Sequence, residues 1–266
     1  MVDGLDGADS TAACLAQDSR YVPRVKFANN VPAVADLGSL IDSLQGHPRY
    51  AELRGCADGA RRAQSCAADL SSAQACCDAL GQVDGLDPLC ITPVSMFTIR
   101  HSLVSNAVVL YARATSTHSD GGERGCISID NRLSESELID HRILIDVRNR
   151  VIAHVHTDES VGDSVWHQER LIVKADGLPG CATRRIQVDA ATITRLRRMV
   201  PIANRLVRQT FHKRINRLTE AINEIHIPEA LLRPHPFDAV KFFGDEAAAK
   251  EALSPGPGKS SFGLAK

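Results

Sequence analysis

The 266-residue chain carries 31 Lys and Arg against 32 Asp and Glu, a formal net charge of -1. That balance excludes a uniformly basic nucleic-acid coat and leaves recognition of any polyanion to local patches. With 44% hydrophobic and 24% charged residues it has the composition of a soluble globular protein with a substantial core, and no apolar run reaches membrane-spanning length.

Residues 1–32 read as a flexible leader. The opening Met1-Val2-Asp3-Gly4-Leu5-Asp6-Gly7-Ala8-Asp9 is acidic and Gly-rich and lacks the basic start and apolar centre of a secretory signal, so a cytoplasmic protein is expected. In a reducing cytosol the eight cysteines, at 14, 56, 66, 76, 77, 90, 126 and 181, form no Cys-x-x-Cys pair and read as small buried residues; neither a metal nor a cofactor is expected.

Residues 33–90 read as accessory helices packed on a core. A short helix is expected from Ala33 to Leu44, and an Ala- and Cys-rich helical stretch from Ala57 to Leu80, broken at Gly55, Gly59 and Gly81. The main helical domain spans residues 91–232. It opens with an amphipathic helix from Thr92 to about Ser116, Pro93 standing in its first turn, and a loop from Ser119 to Gly125 ends it.

A capping box, Ser134-Glu135-Ser136-Glu137, then starts an apolar helix running through Leu138, Ile139, Ile143, Leu144, Ile145, Val147, Val151, Ile152 and Val155. At ~100° per residue, Arg142, Asp146 and Asn149 share a polar sector while Arg148 and His154 fall in the apolar arc. A guanidinium so placed calls for an anionic partner, either a protein carboxylate or a substrate phosphate.

After this helix the period changes. Ser164–Val173 and Thr183–Val188 read as a two-stranded hairpin about Asp176-Gly177-Leu178-Pro179-Gly180, with Trp166 as a core anchor or a base-stacking platform. A long helix follows from Asp189 to about Ile225, and Pro201 is expected to kink it. Between Ala190 and Thr219 it carries Arg195, Arg197, Arg198, Arg205, Arg208, Lys213, Arg214 and Arg217 with no acidic residue: a solvated face, or a polyanion track if it lines a cleft. Residues 233–266 read as a C-terminal appendage, largely disordered, with a helical patch near Glu246 to Leu253.

The segment Arg148-Asn149-Arg150-Val151-Ile152-Ala153-His154, followed by His156-Thr157-Asp158, resembles the signature of the higher-eukaryote-and-prokaryote nucleotide-binding (HEPN) family, closest to its abortive-infection subfamily. The resemblance covers roughly residues 90 to 225, and the motif is its specific part. It implies a mainly α fold, a HEPN-like helical bundle with one small β-hairpin inserted after the motif helix. It also implies a homodimer and a metal-independent RNA endonuclease of phage defence, toxin-antitoxin systems or stress-related growth arrest, with an antitoxin-like protein as a further partner. The alternative within the resemblance is a non-catalytic module that binds a nucleotide or a partner protein.

Carried over, Arg148 and His154 are the catalytic pair and Asn149 the adjacent polar position. Imidazole titrates near neutral pH and can move the proton of an attacking ribose 2′-hydroxyl, while a guanidinium stabilises charge on phosphoryl oxygens. Arg150, Arg195, Arg198 and Arg205 are candidate RNA phosphate ligands, although Asp146 one turn below Arg150 offers it an ordinary ion pair. On an ideal helix Arg148 and His154 project ~120° apart and ~9 Å along the axis. Either the helix end is distorted, or a two-fold dimer pairs the Arg148 of one subunit with the His154 of the other.

Overall fold

The structure, a computed structural model, describes residues 35–87, 92–116, 125–154, 157–175, 178–186, 189–225 and 227–253. The expected leader, most of the loop after Ser116 and the residues after Leu253 lie outside these. The protein is mainly helical, with two small antiparallel two-stranded sheets. Two compact units are present: Ala51–Ile215, and Met1–Tyr50 with Asn216–Lys266.

The larger unit is built on α2 (Ala51–Asp84), α3 (Pro93–Thr115), α4 (Glu135–Asp146) and the part of α5 (Ala190–Ile225) that ends at Ile215. Side-chain pairs fix their directions. Asp84 with Arg100 (3.3 Å), Cys76 with Asn106 (3.4 Å) and Asp69 with Arg113 (2.8 Å) descend α2 while climbing α3, so the two are antiparallel. Arg197 with Asp84 (3.0 Å), Arg208 with Ser71 (3.0 Å) and Arg214 with the Gly59 carbonyl (2.7 Å) set α5 antiparallel to α2. Arg198 with Asp140 (3.0 Å) and Arg132 with the Leu206 carbonyl (3.0 Å) set it antiparallel to α4 as well. The result is an up-down-up-down arrangement of four helices.

Small residues on α2, among them Ala63, Cys66, Ala67, Ala73 and Cys77, let α3 approach closely. The interior is completed by Leu70, Val108, Tyr111, Leu144, Leu196, Met199, Val200 and Val207. The expectation of helical pieces broken at glycines is corrected here: α2 is one helix through Gly55, Gly59 and Gly81, and its buried stripe forms a wall of the core. As expected, α5 is one long helix, with Pro201 inside it.

Local chemistry explains the helix starts. The Thr92 hydroxyl accepts from the Ser95 N–H ahead of Pro93. Ser134 and Glu137 form the reciprocal capping box of α4. The motif helix, however, is not α-helical to Val155. After Asp146 it widens into a π-helical turn, Val147–Ile152, closed by the Ala153 N–H donating to the Arg148 carbonyl at 2.9 Å.

Beyond the motif, β1 (Ser160–Val161) and β2 (Ser164–Val165) turn about Gly162. Its φ of +62° and the Ile143 methyl 3.1 Å from where a Cβ would stand both favour glycine. Trp166 is buried, its ring N–H donating to the Val161 carbonyl at 3.1 Å, so of its two readings the core anchor holds. Strands β3 (His167–Val173) and β4 (Pro179–Arg185) pair in register from His167 opposite Arg185 to Val173 opposite Pro179. Pro179 and Gly180 therefore belong to a strand and not to the turn.

In the smaller unit, α1 (Leu37–Ser43) packs through Leu40 and Leu44 on Leu232 of α6 (Glu229–Leu232). Ala35 bridges to Pro236, and α7 (Ala239–Phe243) and α8 (Glu246–Ala252) follow. The helical patch expected near Glu246 to Leu253 is α8; residues 254–266, the tail of the expected appendage, lie outside the described residues.

Candidate functional site

Arg148, Asn149 and Arg150 all lie on the π turn. Arg148 is half-buried and its Nη1 donates to the Asn149 side-chain oxygen at 2.9 Å. Among the described residues no carboxylate stands within ion-pairing range of it. A partly desolvated guanidinium held only by a neutral amide keeps most of its donors for an anion.

His154 is exposed, which corrects its expected burial in the apolar arc. The wheel assumed an α-helix throughout. Past Asp146 the hydrogen bonding runs five residues back, the Ala153 N–H meeting the Arg148 carbonyl, so the directions of Arg148 and Asn149 relative to His154 depart from that expectation. The structure thus joins Arg148 to Asn149 directly, while Arg148 and His154 share no hydrogen bond within one subunit.

The four expected phosphate ligands fare differently. Arg150 pairs with Glu159 and not with Asp146. Arg195 is well covered between Asp140 (3.3 Å) and Asp163 (2.7 Å), which raise its pKa through the Asp163 hydrogen bond first. Arg198 takes the other oxygen of Asp140 (3.0 Å) and the Ser136 hydroxyl (2.9 Å). These two arginines tie α5 to α4. Arg205 is exposed and forms no ion pair among the described residues, yet its charge reaches Glu137. The carboxyl of Glu137 is held below its ordinary range mainly by the Ser134 N–H, with Arg198 and Arg205 adding to it.

One buried polar chain escaped the sequence reading. The Tyr111 hydroxyl lies 2.8 Å from His141 Nδ1, and His141 Nε2 lies 3.5 Å from the Asp130 carboxylate. Both Tyr111 and His141 are buried. Burial raises the pKa of Tyr111 far above its ordinary value and lowers that of His141, against an opposing pull from Asp130. A polar residue between Ile139 and Ile143 was its only signal. The chain of bonds fixes α4, and with it the root of the π turn, against α3.

Cys56, Cys66, Cys76, Cys77, Cys126 and Cys181 are in the thiol form, outside any disulfide, and burial pushes the Cys77 thiol up to about 11. Among the described residues no cluster of His, Cys, Asp and Glu could hold a metal ion, and no helix is long and apolar enough to cross a membrane. No family model, curated protein or solved structure matches the chain.

Proposed function

We propose that this protein is a cytoplasmic, HEPN-type RNA endonuclease that works without a metal, acting as a homodimer in growth arrest or defence. The observation that carries the reading is Arg148: a half-buried guanidinium with an amide but no carboxylate beside it, on a π turn that ends at an exposed imidazole. Single π turns inside α-helices recur at functional sites.

In this reading His154 accepts the proton of the ribose 2′-hydroxyl as that oxygen attacks the adjacent phosphorus. The P–O5′ bond breaks, the leaving oxygen takes up a proton, and a 2′,3′-cyclic phosphate remains. Arg148 stabilises the charge on the non-bridging oxygens, and Asn149 positions Arg148 through its side-chain oxygen. Because the nucleophile belongs to the substrate, proton transfer and charge stabilisation suffice. Arg205 is free to meet the backbone, and the exposed Arg150–Glu159 pair is weak enough to open for it. Arg195 and Arg198 stay with Asp140.

Purified protein should cut single-stranded RNA in the presence of EDTA. His154→Ala should lower the rate by about 10²- to 10⁴-fold, with Arg148→Ala comparable and Asn149→Ala milder. Undiminished cutting by the His154→Ala protein would overturn the proposal. RNA or nucleotide binding with no cleavage by the wild type would identify a binding module instead.

A further inference from the structure

The β3–β4 ribbon projects from the larger unit with nearly every residue after Gln168 exposed. Strand alternation gives its two faces different chemistry. One carries Glu169, Leu171 and Val173 opposite Thr183, Cys181 and Pro179; the other carries Gln168, Arg170 and Ile172 opposite Arg184, Ala182 and Gly180. Gln168, Arg170, Ala182 and Arg184 of the second face, with Thr183 between the last two, line a concavity of about 220 Å³.

That lining holds two guanidiniums and an amide over a small-residue floor, and no carboxylate. Among the described residues of the ribbon Arg170, Lys174, Arg184 and Arg185 stand against Glu169 alone. Arg184 reaches only the Gln168 amide, at 3.4 Å. Arg170 donates to Asp158 at 2.6 Å, an exposed pair that an entering anion can exchange. Asp158 is held at a φ of +62°, its N–H donating to the His167 carbonyl at 2.7 Å. It lies four residues after His154 and beside Glu159, the partner of Arg150. The concavity is therefore joined to the motif segment through a single ion pair.

We infer that this concavity is a phosphate seat, and that it holds a backbone phosphate of the single-stranded RNA whose scissile bond lies at the motif. The inference rests on the function proposed above but concerns different residues. Arg170 and Arg184 supply the charge, and their guanidinium planes straddle the phosphate from neighbouring strands. Phosphate entering between them takes Arg170 from Asp158.

The test is equilibrium binding of a labelled uridine-only RNA to the full chain across a salt series, in a His154→Ala background that prevents cleavage. Loss of the one seated phosphate in the Arg170→Gln/Arg184→Gln protein should flatten the slope of log K against log salt by about 0.7. A charge-matched Arg61→Gln/Arg62→Gln protein on α2 should keep the wild-type slope. Both variants alter exposed or half-exposed side chains, and circular dichroism should show the wild-type spectrum.

An unchanged slope in the ribbon variant overturns the inference. So does competition by inorganic phosphate for the ribbon arginines with no effect of the variant on RNA. The two readings separate cleanly. RNA cutting that survives in the ribbon variant together with an unchanged slope sinks the phosphate seat alone, whereas ribbon-dependent binding by a wild type that never cuts RNA sinks the nuclease alone.

Discussion

Acid should act on this fold first through His141. Its imidazole is hydrogen-bonded to the Tyr111 hydroxyl, and burial holds its folded-state pKa below the ordinary 6.5. As pH falls the unfolded chain therefore takes up the proton before the folded one, so stability present above about pH 6.5 declines below it until the folded pKa is passed. Thermal midpoints followed from pH 7.5 to 5 should fall more steeply for the wild type than for His141→Gln, and parallel profiles would contradict the account. Identity and order alone singled out Arg148, Asn149 and His154 in the sequence. Their surroundings could not be read there. Arg195 and Arg198 belong to a run of one sign in the sequence, but Asp140 lies on another helix and Asp163 beyond it, so the carboxylates that occupy them are invisible to any local count.

At the scale of elements, helix boundaries were legible wherever a capping group or proline announces them, as at Thr92-Pro93 and Ser134. Glycine misled. A glycine inside a helix costs ~1 kcal/mol relative to alanine, which reads as a break, but the packing of α2 overrides three of them. The cost should be recoverable. Gly55 is exposed and a Cβ there meets nothing within 4 Å, so Gly55→Ala should raise stability by about 0.5–1 kcal/mol, read as a shift of the denaturant midpoint at constant slope. A lower midpoint would mean that the backbone of α2 departs from helical geometry there. No residue type announced the π turn; its one hint was the poor alignment of Arg148 with His154 on an ideal helix, which left a distorted helix end open. Such a turn changes which carbonyl each N–H meets without asking for any special residue type, and Val147–Ile152 reads like the rest of its helix.

For the whole molecule, the mainly helical fold with a β excursion was readable because hydrophobic period alone separates the long helices from the ribbon. The placement of α2 in the core was not, since its small-residue stripe gives a weak periodic signal. The larger unit leaves Arg148 and His154 of one subunit unconnected, so assembly matters to the proposed chemistry. Inactive Arg148→Ala and inactive His154→Ala proteins, co-folded in equal amounts, should regain about a quarter of wild-type cleavage, because half of the random dimers carry one intact composite site of two. No recovery, with exchange of subunits shown independently, would place the pair within a single subunit.

The widened turn at Val147–Ile152 holds one residue more than a regular coil of the same rise would need. Stability and activity can thus be uncoupled by length alone. Removing Asn149 alone lets the turn relax to ordinary pitch while the chain beyond it keeps its direction about the axis; the amide that holds Arg148 is lost, and Leu144 and the Tyr111–His141 bond stay seated. Such a deletion is a small genetic event, and it would leave a folded protein with its proposed chemistry weakened.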